Sequence, residues 1–414
     1  MKLSQELETR GFIHQISGEN LAQIVDGEKR TIYHGIDPTA DSAHAGNMAV
    51  WVLLKHLVND GHKIIFLVGG GTGMIGDPKP DAERELKTIE QVEENVSKIR
   101  AQAEVFFGAE AVEFTNNHEW LAKLTLIEFL RDIGKHYTVN ELIKKDAIAS
   151  RLSSDTGLSY TEFAYPLLQG YDFLELFKSK GCTVQVGGSD QWGNIISGVE
   201  LIRRKEQAEA FALTVPLIVD KATGKKFGKS EGNAVWLDKE KTSPYEFYQF
   251  WLNVSDESVV DYLKLFTFRA LDEIEEVERE WSGDPGARLA QKKLAFSVTE
   301  LVHGEEQAEA AQNVSELLFG GGDIAALNET ELVMIKENAP TSAVESGQTV
   351  VDVLVNSELA QSKREARTFI ESGAISLDGQ KIDNVEATVN TTEFSNGVGL
   401  LRRGKKQLSI LLSK

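Results

Sequence analysis

Two short stretches carry residue types suited to handling a nucleoside triphosphate, and they can do so only if they meet in space. The first is Asp37-Pro38-Thr39-Ala40-Asp41-Ser42-Ala43-His44-Ala45-Gly46-Asn47, and the second is Lys226-Phe227-Gly228-Lys229-Ser230. In the first, residues 31–36 read as a strand and 48–57 as an amphipathic helix, joined by a Pro-containing turn. A strand–turn–helix junction aims unpaired backbone N–H groups and the positive end of a helix at an anion. His44 and Asn47, three residues apart, add side-chain donors on one side of the helix start. In the second stretch, two lysines in a Gly-containing loop offer mobile point charges for phosphates. Taken alone, such lysines describe an ordinary solvated turn.

A third constellation is Tyr165, Gln169 and Asp172, spaced i, i+4, i+7 and so sharing one helix face. Leu168, Phe173 and Leu176 can pack elsewhere, which makes the polar stripe a candidate pocket wall. The stripe by itself describes a solvent-exposed face equally well. Pro166 suits only the first turn of that helix. A strand over 183–186 then delivers Gly187-Gly188-Ser189-Asp190-Gln191 at its C-terminal end, where ligands of open parallel sheets collect.

The elements that must hold these residues follow in order. A helix over 3–12 and a turn at Ser17-Gly18 precede the first strand. Asn59-Asp60-Gly61 ends the helix after Asn47, and 63–68 is a buried strand. This strand–helix–strand alternation indicates a parallel, doubly wound sheet. A helix covers 88–107, an apolar helix with Ile127, Leu130 and Ile133 covers 124–145, and 214–219 reads as the last strand. Two glycine motifs are decoys. Gly71-Thr72-Gly73-Met74-Ile75-Gly76 matches the dinucleotide fingerprint letter for letter, but Asp77-Pro78 interrupts where a helix has to begin. Its glycines point instead to a close backbone approach to a ligand. Gly224 to Ser230 resembles a P-loop with three residues between the glycines rather than four.

Together, His44-Ala45-Gly46-Asn47 and Lys226-Phe227-Gly228-Lys229-Ser230 resemble the two signatures of class I aminoacyl-tRNA synthetases. Tyr33-His34-Gly35-Ile36-Asp37-Pro38-Thr39, Thr161-Glu162-Phe163-Ala164-Tyr165 and Gly187-Gly188-Ser189-Asp190-Gln191-Trp192 are similar to the bacterial tyrosyl-tRNA synthetase family in particular, in the family's order and over nearly the whole chain. The resemblance implies a Rossmann-like catalytic domain, an α-helical domain and a small α+β RNA-binding domain. It implies catalytic roles for His44, Asn47, Lys226, Lys229 and Arg84. By the same resemblance Tyr33 and Asp172 bind a phenolic hydroxyl, Tyr165, Gln169 and Asp77 surround an ammonium, and Gln191 lies near the carboxylate. ATP is expected at Gly35, Asp37, Thr39, His44, Gly46, Asn47, Gly188, Asp190, Lys229 and Ser230, with Asp190 meeting the ribose. ATP with Mg2+ is then a substrate, with no tightly bound cofactor and no metal site. Ala45 stands where the family has a bulky apolar residue and is expected to matter for packing only. A family lysine in the loop after Asp77 has no clear counterpart. A tryptophanyl-tRNA synthetase shares the fold but lacks the Tyr33/Asp172 pair and the C-terminal module. An inert RNA-binding relic would have lost His44, Lys229 or Asp190.

Composition bounds the rest. A chain of 414 residues suggests two or three domains, and 41% hydrophobic residues can bury a substantial core. The one cysteine, Cys182, leaves no intrachain disulfide and no cysteine zinc site, which suits a reducing compartment. The polar first ten residues are unlike a signal peptide, no apolar run suits a membrane helix, and a cytoplasmic protein is expected. The net charge of −20 excludes a general nucleic-acid binder, so RNA contact has to be local. Residues 361–414 carry nine Lys and Arg against six Asp and Glu. Lys363, Arg364, Arg367, Arg402, Arg403, Lys405 and Lys406 are therefore the expected tRNA-binding residues. The expected domains are 1–220, with a dimer-forming insertion at about 115–160, then 221–325, a linker at 326–349, and 350–414. The expected partners are L-tyrosine, ATP, tRNA(Tyr) and a second copy of the chain, with no membrane.

Overall fold

The computed structural model describes the chain except residues 79–84, 109, 154–156, 220, 222–223, 225–226, 228, 231–232, 321 and 405–406; at 229, 230 and 233 it describes the backbone only. The chain divides into two compact units, one of Met1–Lys241 with Val254–Ala290, the other of Thr242–Asn253 with Gln291–Lys414.

The first unit is built on a six-stranded sheet of β1 (Gln15–Ile16), β2 (Thr31–Ile36), β3 (Lys63–Val68), β4 (Val112–Asn116), β5 (Cys182–Gly188) and β6 (Phe211–Val215). Its order is β1-β6-β5-β2-β3-β4, with every pair parallel except β1 on β6. The expected doubly wound sheet is present, and β2 and β3 have the expected bounds. The last strand lies earlier than the expected 214–219: Leu217 and Val219 are exposed, whereas all five residues of β6 are buried. Period-two alternation gives β2 two different faces. Tyr33 packs edge-on against Phe173, while the adjacent His34 turns its ring to Phe66 and its Nδ1 to the Val186 carbonyl. Behind β2 and β3, the helix Met48–Asn59 buries Trp51 among Phe66, Phe106 and Phe107. A fully buried aromatic ring contributes about 2–3 kcal/mol each.

Between β4 and β5 the expected single helix over 124–145 is a series of short pieces. They are Leu126–Glu128, a π turn at Phe129–Ile133, a 3-10 turn at Gly134–His136, and Val139–Leu142. Thr125 and Thr138 each start a new capping box, with Glu128 and Glu141, and so restart the helix. Ile133 is buried while Ile127 and Leu130 are exposed. The long helix Tyr160–Lys180 begins at its Ser159 cap, so Pro166 lies well inside it and not in its first turn. That removes one rung of the helix ladder. A buried ion pair, Arg151 to Glu162 at 3.1 Å, ties the helix start to the short helix Asp146–Leu152.

Packing redraws the expected boundaries at 220, 325 and 349. The helices Val259–Phe266 and Leu271–Gly283 join the first unit, where the Arg10 guanidinium donates to the carbonyls of Lys264, Thr267 and Arg269. Residues 326–349 are not a linker. They hold the helix Glu329–Asn338 and a strand, Thr341–Val344, that pairs in parallel with Gln407–Ser413. That strand is the edge of a second sheet, of five strands, whose core includes Val350, Leu354, Ala366, Ile370, Ile375, Leu401 and Leu411.

Candidate active site

The C-terminal ends of β2, β3, β4 and β5 bring together most of the expected tyrosine-binding set. Asp172 is 2% exposed and accepts from two donors, Asn117 Nδ2 at 2.9 Å and Trp120 Nε1 at 2.7 Å. Burial pushes its pKa up to about 7, with the Asp37 charge adding to the rise and the two donors opposing it. Asn117 also donates to the Thr72 hydroxyl at 2.8 Å, Thr72 donates to Asp37 at 2.7 Å, and the Tyr165 hydroxyl donates to the other Asp37 oxygen at 2.7 Å. One polar chain therefore runs from Trp120 to Tyr165. Asp37, expected at ATP, is thereby also a structural partner of Tyr165, which is expected at the tyrosine. Asp77 forms a second knot, accepting from Gln191 at 3.0 Å and Asn194 at 2.9 Å. Burial raises its pKa to about 6, against those two hydrogen bonds and with Asp37 and Asp190 adding.

Two buried polar atoms stand out in this wall. Among the described residues the Tyr33 hydroxyl has no partner of hydrogen-bond geometry, although the Gln185 amide opposes the strong rise that burial gives its pKa. Gln169 Oε1 also lacks a partner among them. Orphaned polar atoms are costly in a dry interior, so each suits a ligand group that completes it.

Thr72, Asn117, Trp120, Gln185 and Asn194 were missed by sequence reasoning. Only Asn117 left a signal, by directly following a strand at the edge where ligands collect. The decoy glycines are also resolved. A side chain at Gly70 would collide with Asn116, one at Gly71 with Leu121 and Asn117, and one at Gly73 with Pro38. The close approach these glycines permit is to the chain's own residues.

At the end expected to hold ATP, a 3-10 turn at Ala45–Asn47 leads into the helix Met48–Asn59. Asn47 Oδ1 accepts from the His44 backbone N–H at 3.0 Å, and His44 Nδ1 accepts from Gly46 N–H at 3.0 Å. With Nδ1 an acceptor, the neutral ring carries its proton on Nε2, a donor. Ala45 is fully buried, as expected of a packing residue. Gly35, Thr39 and Asp190 are exposed at the same edge, and His44, Gly46, Asn47 and Gly188 are partly so. Lys226 and Arg84 lie outside the described residues. The backbone of Lys229 and Ser230 forms a two-residue strand paired with Asn233–Ala234.

Of the basic tail residues, Lys363, Arg364 and Arg367 are exposed on the helix Lys363–Glu371, with Lys363 also paired to Asp352. Arg402 and Arg403 are largely committed to the fold. Arg402 donates to the carbonyls of Leu317 and Leu318, and Arg403 donates to the Leu359 carbonyl and lies over Phe369. Lys405 and Lys406 lie outside the described residues.

The Asp77 shift has a measurable consequence. Its pKa in the fold lies above the value of an unfolded chain, so ionising it costs the folded state stability as pH rises from about 4 to about 6. The role expected of Asp77, to receive a ligand ammonium, needs the ionised form. Binding of an amino acid with a free ammonium is therefore expected to weaken about tenfold per pH unit below about pH 6. Equilibrium dialysis from pH 5 to 8 checks this, and Asp77→Asn removes the dependence if Asp77 is its source.

The family described as "tRNA synthetases class I (W and Y)" matches residues 26–320, and "Tyrosine--tRNA ligase SYY-like C-terminal domain" matches 331–411. Tyrosine--tRNA ligase 2 of Enterococcus faecalis is 47% identical over 98% of this chain and 98% of its own. Tyrosine--tRNA ligase of Lactococcus lactis subsp. cremoris is 46% identical over 99% of this chain and all of its own. Among solved structures, a C-terminally truncated mitochondrial tyrosyl-tRNA synthetase of Aspergillus nidulans superposes with a TM-score of 0.70 at 33% identity, covering 77% of this chain and 94% of that one. A tryptophanyl-tRNA synthetase of Encephalitozoon cuniculi shares the fold at a TM-score of 0.55 and 15% identity, over 75% of this chain and 91% of that one. With the class I match over most of its length, the second match over its C-terminal sheet and full-length relatives near half identical, the chain belongs to the tyrosyl branch of the class I tRNA synthetases.

Proposed function

We infer that this chain is a tyrosine–tRNA ligase that makes tyrosyl-adenylate from tyrosine and ATP and passes the tyrosyl group to the 3′ end of tRNA(Tyr). One observation carries the substrate choice. Among the described residues, a buried phenol, Tyr33, and a buried carbonyl oxygen, Gln169 Oε1, lack partners beside carboxylates held in place at Asp172 and Asp77. That set matches a hydroxyl at one end of the ligand and an ammonium at the other.

In activation, a tyrosine carboxylate oxygen attacks the α-phosphate of ATP and pyrophosphate leaves, accompanied by Mg2+ as part of the substrate. The terminal ribose hydroxyl of the tRNA then attacks the adenylate carbonyl, and AMP leaves. The substrates supply both nucleophile and leaving group, so the protein supplies positioning and charge stabilisation. His44 Nε2–H and the Asn47 amide donate to phosphate or ribose oxygens. Lys226, Lys229 and Arg84 neutralise the leaving pyrophosphate, with Ser230 beside it. Asp190 takes the ribose, Gln191 lies by the carboxylate, and Gly35, Thr39, Gly46 and Gly188 let the nucleotide approach the backbone. The exposed Lys363, Arg364 and Arg367 contact tRNA phosphates, with Lys405 and Lys406.

A homodimer fits the insertion between β4 and β5. Leu126, Ile127, Leu130, Val139, Leu152 and Tyr160 are all exposed there, an apolar surface that a second copy would cover. No helix among the described residues is long and apolar enough to cross a membrane. A cytoplasmic enzyme is the reading that agrees with its free thiol and its substrates.

Amino-acid-dependent pyrophosphate exchange with each of the twenty amino acids tests the activity, and tyrosine alone is expected to support it strongly. In the same assay Tyr33→Phe is expected to lose roughly 0.5–1.5 kcal/mol of tyrosine binding, the worth of a neutral hydrogen bond. Discrimination against phenylalanine falls with it; an unchanged tyrosine-to-phenylalanine ratio would mean that the hydroxyl is read elsewhere.

A further inference from the structure

We propose that residues 235–237 form a strap that locks the signature-lysine hairpin to the histidine turn, with Trp236 as its positioning residue in the activation step. The strand Lys229–Ser230 turns back onto Asn233–Ala234, with Lys229 opposite Ala234. The chain then pairs at once, antiparallel, with the turn that carries His44. Ala45 N–H donates to the Val235 carbonyl at 2.8 Å, Leu237 N–H donates to the Ala43 carbonyl at 2.9 Å, and His44 stands opposite Trp236. A short run of paired backbone thus connects the strand of Lys229 to the turn of His44.

Side chains set the strap in place. Val235 and Leu237 are buried at 5% and 8% exposure. The half-buried Trp236 meets the His44 imidazole edge-on, with ring centroids 6.0 Å apart at 64°. The Lys241 ammonium lies over the indole, 5.1 Å from its centroid, and is bonded to Asp41, which Lys98 also reaches at 3.3 Å. The entry to the lysine stretch is pinned as well. Phe227 N–H donates to the Ile218 carbonyl at 2.9 Å, and its ring stacks on Phe266 at 5.5 Å and lies against Tyr262. A Cβ on Gly46 would come 3.4 Å from the Phe227 carbonyl, so Phe227 lies directly against the histidine turn.

The consequence is mechanical. His44 and Lys229 do not take up their positions independently, because the ladder through 235–237 carries any displacement of one to the other. A misplacement of about 1 Å at a reacting group costs on the order of 10²-fold in rate. The tyrosine wall is built from β2, the helix Tyr160–Lys180 and the turn after β5, so loosening the strap is expected to spare tyrosine binding. The inference rests on the reading of His44 and Lys229 as the groups that act on the phosphates.

The test is single-turnover adenylate formation at saturating tyrosine and ATP in the full chain, for Trp236→Ala, Trp236→Phe and Lys229→Ala. Equilibrium dialysis of tyrosine and a thermal melt accompany each variant. Trp236→Ala is expected to slow the step by about tenfold or more while tyrosine affinity stays within about twofold. Trp236→Phe, which keeps an aromatic edge against His44, is expected to recover most of the rate. A parental rate in Trp236→Ala overturns the strap, as does a parallel loss of rate and tyrosine affinity that phenylalanine does not rescue. Lys229→Ala tests the underlying reading by itself: a parental rate there removes the lysine from the mechanism, whatever Trp236 does.

Discussion

Ending the chain at Asn338 is expected to leave tyrosine-dependent pyrophosphate exchange near the full-length rate and to abolish efficient charging of tRNA. Every residue assigned to activation, the strap over 235–237 included, precedes the cut, so the removed segment takes none of them away. The cut belongs after Asn338 rather than before Val350, because Thr341–Val344 pairs with Gln407–Ser413 and a break before Val350 would split that sheet. The helix Glu329–Asn338 keeps its own partners. Asn313 donates to Glu331 at 2.6 Å, Thr330 to Glu306 at 2.7 Å, and Ser243 to Asn338 at 2.9 Å. The carbonyls of Leu317 and Leu318 lose Arg402 and turn to water. What goes is the exposed basic face of Lys363, Arg364 and Arg367, leaving an acidic body that repels a polyanion. Each phosphate neutralised steepens the fall of log affinity with log salt, by about 0.9 on duplex DNA and about 0.7 on a single strand, so charging by the full chain weakens steeply with salt. Activation, with its charges at short range, depends on salt far less. Both activities in both chains across a salt series decide the matter. Full-rate charging by the shortened chain would show that the RNA anchor lies elsewhere.

Replacing Asp172 by Asn is expected to cost on the order of 10²-fold in kcat/KM for tyrosine while leaving the KM for ATP nearly unchanged. Asp172 accepts from Asn117 and Trp120 through one oxygen each, and a carboxylate has lone pairs left for a phenol. An asparagine side chain has one acceptor oxygen and turns an NH2 group on one of those two donors. Hydrogen bonds to charged groups are worth about 1.5–3 kcal/mol, and the repulsive donor pair adds to their loss. Trp120→Phe removes one donor and keeps the carboxylate, so its expected loss is several-fold smaller. Kinetics with tyrosine and with ATP varied separately give the comparison. Parental kcat/KM for tyrosine in Asp172→Asn would mean that Asp172 does not read the hydroxyl.

The difference between these two predictions follows how each region was encoded. The strands Thr31–Ile36 and Lys63–Val68 were legible because an apolar run bounded by turn residues has few alternatives. The Tyr165/Gln169/Asp172 stripe was legible as one face of a helix, and the two signature stretches as phosphate-handling turns. Pro166 misled because residue-by-residue rules place a proline at a helix start, whereas Ser159 had already capped this helix. Residues 326–349 misled because Thr341–Val344 is a short edge strand whose partner lies more than sixty residues away.

The sequence by itself determined the elements and the chemical menu: a strand, turn and helix carrying His44 and Asn47, a lysine loop, and a polar helix face. Those features depend on hydrogen bonds and periodicities within a few residues. Tertiary structure alone decided which of them act together. It brought Asn117 and Trp120 from the end of β4 onto Asp172, set Thr72 between Asn117 and Asp37, and laid residues 235–237 against the His44 turn. It also spent Arg402 and Arg403 on backbone carbonyls, so that a run of charge in the sequence became structural mortar and left Lys363, Arg364 and Arg367 to face outward. A side chain's charge is local, but its partner is set by packing between segments far apart in the chain, and no periodicity records that distance.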